Sequence, residues 1–110
     1  MIENPFDHNG LDDVIHGRIR LGVVAYLAAV ESALFTELRD MVGATDGNLS
    51  AHLGKLEEAG YVDVAKSFAG KKPQTRIALT HRGRQAWNNW LDRIETLTRA
   101  AASTQKGRPQ

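Results

Sequence analysis

Apolar residues recur every four positions at Leu11, Ile15, Ile19, Val23 and Leu27. That is close to the period of one helix face and predicts a first helix over residues 11–29, weakened slightly by Gly22. Residues 32–35 break the pattern and leave room for one extended pair. Thr36 then reads as the N-cap of a second helix, its hydroxyl oxygen accepting a first-turn N–H. Leu38, Met41 and Val42 are the apolar positions of that helix, and Gly43 suits its left-handed C-terminal cap. Thr45 is the expected N-cap of a third helix reaching about Ala59. Leu49, Leu53 and Leu56 fall at i, i+4 and i+7, a single stripe, and Gly60 ends it.

The period then changes to two. Val62, Val64 and the following alternate residues predict a strand, residues 70–73 a turn, and residues 75–79 a returning strand. The pair reads as a hairpin with a basic tip. Thr80 N-caps a last helix to about Ala100, with Ala86, Trp87, Trp90, Leu91, Ile94 and Leu97 as its apolar stripe. The predicted order is helix, short strand, helix, helix, strand, basic turn, strand, long helix. Two short helices joined by a glycine-containing turn make a helix-turn-helix. Followed at once by a hairpin, they give a winged helix-turn-helix, mainly α with a small β-hairpin. Residues 11–100 form this one domain. Asn4-Pro5 and Asn9-Gly10 are turn signals that mark residues 1–10 as a flexible arm, and the polar end makes residues 101–110 a disordered tail.

Composition narrows the function. Of 110 residues, 42% are hydrophobic and 25% charged, ordinary for a globular domain with a core of its own. No apolar run is long enough to span a bilayer, and with Glu3 and Asp7 near the start no secretory signal is expected, so a cytoplasmic location is. The absence of cysteine excludes disulfides and thiolate metal sites. Net charge is only +1, but its distribution is uneven. Lys66, Lys71, Lys72, Arg76, Arg82 and Arg84 lie in a stretch, 65–91, that holds no acid. Glu3, Asp7, Asp12 and Asp13 lie in a stretch, 1–13, that holds no Lys or Arg. A local basic stretch binds polyanions even on a nearly neutral protein, although a charge run alone is equally a solvated surface.

The run Thr45-Asp46-Gly47-Asn48-Leu49-Ser50-Ala51-His52-Leu53, then Lys55-Leu56-Glu57 and Ala59-Gly60-Tyr61-Val62, resembles the recognition-helix signature of small winged-helix regulators. The stretch 68–75 is similar to their wing, and Leu79-Thr80 with Gly83-Arg84-Gln85-Ala86 to the start of their last helix. Upstream, the stretch 18–23 is similar to their first helix, and Phe35-Thr36-Glu37-Leu38 to the opening of their second. The resemblance covers about residues 11–100 and is nearest to single-domain regulators related to the MarR and ArsR groups. It implies sequence-specific binding of double-stranded DNA, usually as a dimer and most often for repression.

Physical chemistry assigns roles within that frame. With the three leucines inward, Gly47, Ala51 and Lys55 face outward, flanked by Asn48 and Ser50. Asparagine pairs bidentately with adenine, serine bonds base edges or phosphate, and the small residues permit close approach in the major groove. His52 lies nearer the core edge and suits either a packed role or a DNA contact. Asp46 is repelled by phosphate; helix-dipole stabilisation is the favoured role, acceptance from cytosine the alternative. Without Arg or Gln on this helix, shape and phosphate contacts carry much of the expected affinity. Lys71, Lys72 and Arg76 equip the wing for the minor groove or adjacent phosphates. Thr36 places free helix N–H groups where a phosphate fits. Arg82 and Arg84 read either as DNA contacts or as solvated first-turn charges.

The apolar stripe of the last helix runs further than a small winged helix easily buries. It predicts a homodimer through Leu11, Ile15, Trp87, Trp90, Leu91, Ile94 and Leu97. No catalytic arrangement, cofactor-binding loop or membrane segment is present in the sequence, and no cofactor is expected. Asp12 and His16, four apart, are candidate metal ligands, with a simple helical pair the favoured alternative and no metal assigned. A small-molecule effector is not legible. The rival reading is a winged helix that binds protein and not DNA, which the fold alone permits.

Overall fold

The computed structural model describes residues 4–106, with side chains described through 103. Its elements are α1 (Arg18–Val30), β1 (Ser32–Leu34), α2 (Phe35–Val42), α3 (Asp46–Glu58), β2 (Val62–Ala69), β3 (Lys72–Leu79) and α4 (His81–Lys106). The three strands form an antiparallel sheet in the order β1-β3-β2. This is the winged helix-turn-helix expected from the sequence. The core gathers Val23, Val24 and Leu27 of α1, Leu38 of α2, Leu49, Leu53 and Leu56 of α3, and Ala33, Val62 and Ile77 of the strands. Strand alternation selects the sheet contribution, because Val62, Val64, Ile77 and Leu79 share the inward face.

Two helix starts differ from the sequence expectation. The first helix begins at Arg18, not Leu11. Asp12 Oδ1 accepts the N–H groups of Val14 at 2.8 Å and Ile15 at 3.2 Å, and Oδ2 accepts the hydroxyl of Tyr61. This local side-chain turn satisfies the backbone without a helix and turns Ile15 fully into the core. The second helix begins at Phe35, one residue before Thr36. Leu34, still paired with Arg76 in the sheet, occupies the cap position at φ −73°, ψ 151° and offers no side-chain bond. Thr36 is therefore exposed within the first turn. Met41, one of the apolar positions at helix spacing, is 61% exposed, while Leu38 is buried.

The hairpin turn is shorter than expected. Only Gly70 and Lys71 lie between the strands, and Gly70 takes φ +64°. Pro73 already belongs to β3, opposite Phe68. The central strand tolerates it because β1 covers β3 only from Arg76 to Ala78.

Thr80 caps α4 as expected, its Oγ1 accepting Gly83 N–H at 2.9 Å and donating to Gly60 O at 2.6 Å. The helix continues to Lys106, beyond the expected end at Ala100 and into the segment expected to be a tail. Its 26 residues account for much of the 67 Å long axis. The expected arm contains a 3-10 turn at His8–Gly10, and Arg93 of α4 donates to Asp7 O at 2.7 Å. Residues 1–3 of that arm and 107–110 of the expected tail lie outside the described residues.

Candidate nucleic-acid interface

The recognition helix is built as its pattern dictates. Thr45 Oγ1 accepts Asn48 N–H at 3.1 Å, closing the N-terminal cap. Leu49 and Leu56 are fully buried and Leu53 nearly so, which turns Gly47, Asn48, Ser50, Ala51 and Lys55 to the surface. Thr45 is exposed beside them. That surface is small and polar, with one cation.

His52 lies at the edge. Arg20 Nη1 donates to His52 Nδ1 at 2.9 Å. Arginine has no acceptor, so Nδ1 accepts and the neutral ring carries its proton on Nε2. Burial and the positive charges of Arg20 and Lys55 push its pKa below the ordinary 6.5. Arg20 also donates through Nε to Val14 O at 2.6 Å and through Nη2 to Asp13 O at 3.4 Å. One α1 guanidinium thus ties the 13–14 turn to the recognition helix. Nothing in the sequence pattern singled Arg20 out.

Asp46, the acid at the helix start, pairs with Arg39 Nη1 at 3.0 Å, and Arg39 Nε reaches Asp40 at 3.1 Å. Arg39, shared between the two carboxylates, offsets only part of the negative charge at this helix start. This partner sits on α2, seven residues upstream, and no sequence period links the two.

The wing carries the remaining cations. Lys71 and Lys72 are exposed at its tip. Arg76 is exposed on the return strand, with Nη1 donating to Ser32 Oγ at 3.2 Å. Lys72, Pro73 and Gln74 line one cleft with Thr36 at the start of α2. Ser50 of α3 lines another with Lys66 and Thr75 of the sheet. The helix and the wing therefore share continuous surface. Arg82 is exposed. Arg84 is not a free first-turn charge, since both of its terminal nitrogens lie 3.4 Å from Ala28 O of α1.

The side chains assigned to a dimer seam separate into two groups. Ile15 is fully buried in the chain's own core and has no area to offer a partner, which removes it from the seam. Leu11 is half-buried. Trp87 and Trp90 stack at 5.5 Å with planes 7° apart and pack on the core. Further along α4, Ile94 and Leu97 are half-buried and Leu91 is 41% exposed. Asp12 and His16 do not form a side-chain pair on one helix face: Asp12 bonds Tyr61, and His16 Nδ1 faces Trp90 Nε1 at 3.4 Å. Among the described residues no cluster of three metal-ligating side chains occurs, and no helix is long and apolar enough to cross a membrane.

Comparison with known proteins agrees with this architecture. The profile of the family described as "Winged helix DNA-binding domain" matches residues 19–98. An uncharacterised protein of Methanocaldococcus jannaschii is 35% identical over 86 residues, covering 78% of this chain and 94% of that protein. The solved transcriptional regulator homologue of Pyrococcus horikoshii OT3 is 25% identical with a TM-score of 0.76, over 80% of this chain and 87% of that one. A MarR-like regulator of Thermotoga maritima shares the fold at 20% identity and a TM-score of 0.56, over 76% of this chain and 58% of that one. The chain belongs to the winged helix DNA-binding domain family and is a DNA-binding regulator, not an enzyme.

Proposed function

We propose that the chain is a sequence-specific repressor that binds double-stranded DNA as a homodimer, with α3 in the major groove and the wing on the minor groove and its phosphates. The observation that carries this reading is the outward face of α3. Its leucines are all spent on the core, and Gly47, Asn48, Ser50, Ala51 and Lys55 stand free beside a wing tipped by Lys71 and Lys72. Gly47 and Ala51 let the helix seat deeply, Asn48 and Ser50 read base edges, and Lys55 meets phosphate. Thr45 and Thr36 lie at the starts of two helices, where exposed N–H groups favour a phosphate. His52 supports the helix through Arg20 and presents only its Nε2–H as a free donor.

A partner copy packs on the distal half of α4 through Leu91, Ile94 and Leu97, with Leu11 and the tryptophan pair at its margin. That arrangement sets two recognition helices about one DNA turn, roughly 34 Å, apart. Repression follows from occupancy of the bound site, the outcome that the resemblance to small winged-helix regulators implies. The cytoplasm is the proposed location.

The test is a salt titration on random duplex DNA, followed by selection from a random pool. Wild-type complex falls with rising salt. Lys71→Ala with Lys72→Ala weakens binding to all sequences and reduces the slope of log K against log salt by about 1.8 per protomer, near 0.9 for each lost phosphate contact. An unchanged slope refutes the wing's role. Absence of any complex at low salt refutes DNA binding, and failure to enrich a sequence refutes specificity.

A further inference from the structure

Phe68 is 73% exposed, the highest value for a large apolar side chain among the described residues. A single exposed apolar residue is ordinary. Its position in the wing is what gives it meaning. Strand alternation puts Phe68 on the same face as Val62, Val64 and Lys66, the face against which α3 packs, and pairing puts Pro73 directly opposite. At this point the hairpin has outrun the body. β1 covers β3 only from Arg76 to Ala78, and β2 is exposed from Ala65 onward. Phe68 and Pro73 thus make a small rigid apolar platform near the tip, with Lys66, Lys71 and Lys72 about it on the same two strands and their turn.

We propose that Phe68, backed by Pro73, packs against the deoxyribose walls of the minor groove when the wing docks. This deepens the DNA-binding reading above and rests on it. The chemistry matches on both counts. A minor groove about 6 Å wide has charged rims of phosphate and apolar walls of sugar C–H. The wing offers cations at its margins and one flat apolar side chain between them. A protein partner fits less well, since lysine is depleted where proteins dock on proteins and three lysines border this platform. The lysines give attraction that is salt-dependent; Phe68 gives contact that is not.

The experiment uses the full chain, a fluorescent AT-rich duplex and anisotropy at several salt concentrations. Phe68→Ala weakens binding roughly tenfold at every salt, as expected for partial loss of a buried aromatic contact, and leaves the salt slope unchanged. Phe68→Leu keeps most of the affinity. Lys71→Ala, in contrast, lowers the slope. The thermal midpoint of Phe68→Ala matches wild type, because the side chain is exposed in the free protein. Filling the minor groove with a groove-binding dye brings wild type and Phe68→Ala to the same affinity. The proposal is overturned if Phe68→Ala binds like wild type, if its loss appears as a changed salt slope, or if the gap survives the dye. Wild-type binding with no Phe68 effect removes this inference alone. Absence of a wild-type complex removes the DNA reading and this inference together.

Discussion

Gly83→Ala is expected to destabilise the fold by about 2 kcal/mol, although alanine is the better helix former. Gly83 is buried in the first turn of α4, where that helix meets the start of β2. A Cβ built there lies 2.8 Å from Leu79 Cδ1 and 2.9 Å from Tyr61 C, and closer still to Tyr61 O. The carbonyl has little freedom to retreat. Tyr61 O accepts Thr80 N–H at 3.0 Å, and Tyr61 N–H donates to Leu56 O at 2.9 Å. Nor can Gly83 easily withdraw, with its own N–H held by Thr80 Oγ1 at 2.9 Å. The helix-propensity gain is at most about 1 kcal/mol, and overpacking against backbone belongs at the upper end of the usual 1–3 kcal/mol or beyond. The net loss corresponds to a melting point lower by about 8–15 °C for a domain of this size. Gly54→Ala is the matched control. Gly54 is an exposed position within α3 with nothing within 4 Å of its added Cβ, so that variant gains about 0.5–1 kcal/mol. Chemical denaturation at fixed protein concentration measures both. A Gly83→Ala protein as stable as wild type refutes the close approach of α4 to β2.

Tyr61→Phe removes the donor to Asp12 Oδ2 and costs about 1 kcal/mol, with faster amide exchange at Val14 and Ile15 as the local signature. In wild type, burial and the Asp12 carboxylate push the Tyr61 pKa up to about 12 from 10, so the phenol loses its proton in the unfolded chain first. Its contribution to stability is therefore complete below pH 10 and lost as pH rises towards 12, and ultraviolet titration of the phenolate checks it. For His52 the sign is opposite in pH. Its folded pKa lies below 6.5, so the unfolded ring takes up the proton first and stability falls as pH drops below 6.5. His52→Gln keeps an acceptor for Arg20 without a titrating ring and flattens that fall; an identical acid limb in both proteins refutes the assignment. Leu91→Glu is expected to give a folded monomer by light scattering at micromolar concentration, and a persistent dimer places the seam elsewhere.

What the sequence made legible was what repeats locally. The stripe of Leu49, Leu53 and Leu56 matched the buried side of α3, and Thr45 and Thr80 capped the helices assigned to them. The four-residue period through Leu11 and Ile15 misplaced the first helix start for a physical reason. Period reports which residues face inward, and Ile15 does face inward, but from a turn held by Asp12 and by Tyr61, 49 residues away. Met41 has helix spacing in α2 yet no element packs over it, a fact of the tertiary arrangement. The candidate interface divided in the same way. Outward positions of α3 followed from the helical period of its leucines, and the cations of the wing from charge and the turn signals. Arg20 beneath His52 and Arg39 beside Asp46 did not, because each is a long side chain reaching across elements. Phe68 fell within the stretch similar to a wing; that the hairpin outruns its cover there was not legible.

The distribution of charge bears on how such a domain separates attraction from reading. Arg39 engages both Asp40 and Asp46, and Arg20 is committed to two backbone carbonyls and His52. Arg84 holds Ala28 O, and Arg93 holds Asp7 O. These four arginines bind inward and hold elements in place, while Lys55 on the outer face of α3 and Lys71 and Lys72 at the wing tip carry compact charges that attract phosphate without a fixed fork of donors, with Arg76 the one exposed guanidinium of the wing. Arginine at those positions would add bidentate bonds to guanine or phosphate and raise affinity for many sequences at once. In the proposed binding mode, with lysine at the rim and Asn48 and Ser50 at the centre, the general attraction is modest. Discrimination then falls to short side chains that act only when the helix is fully seated. On that proposal Gly47 and Ala51, both exposed, leave room for the seating, so enlarging either is expected to cost specificity before it costs attraction.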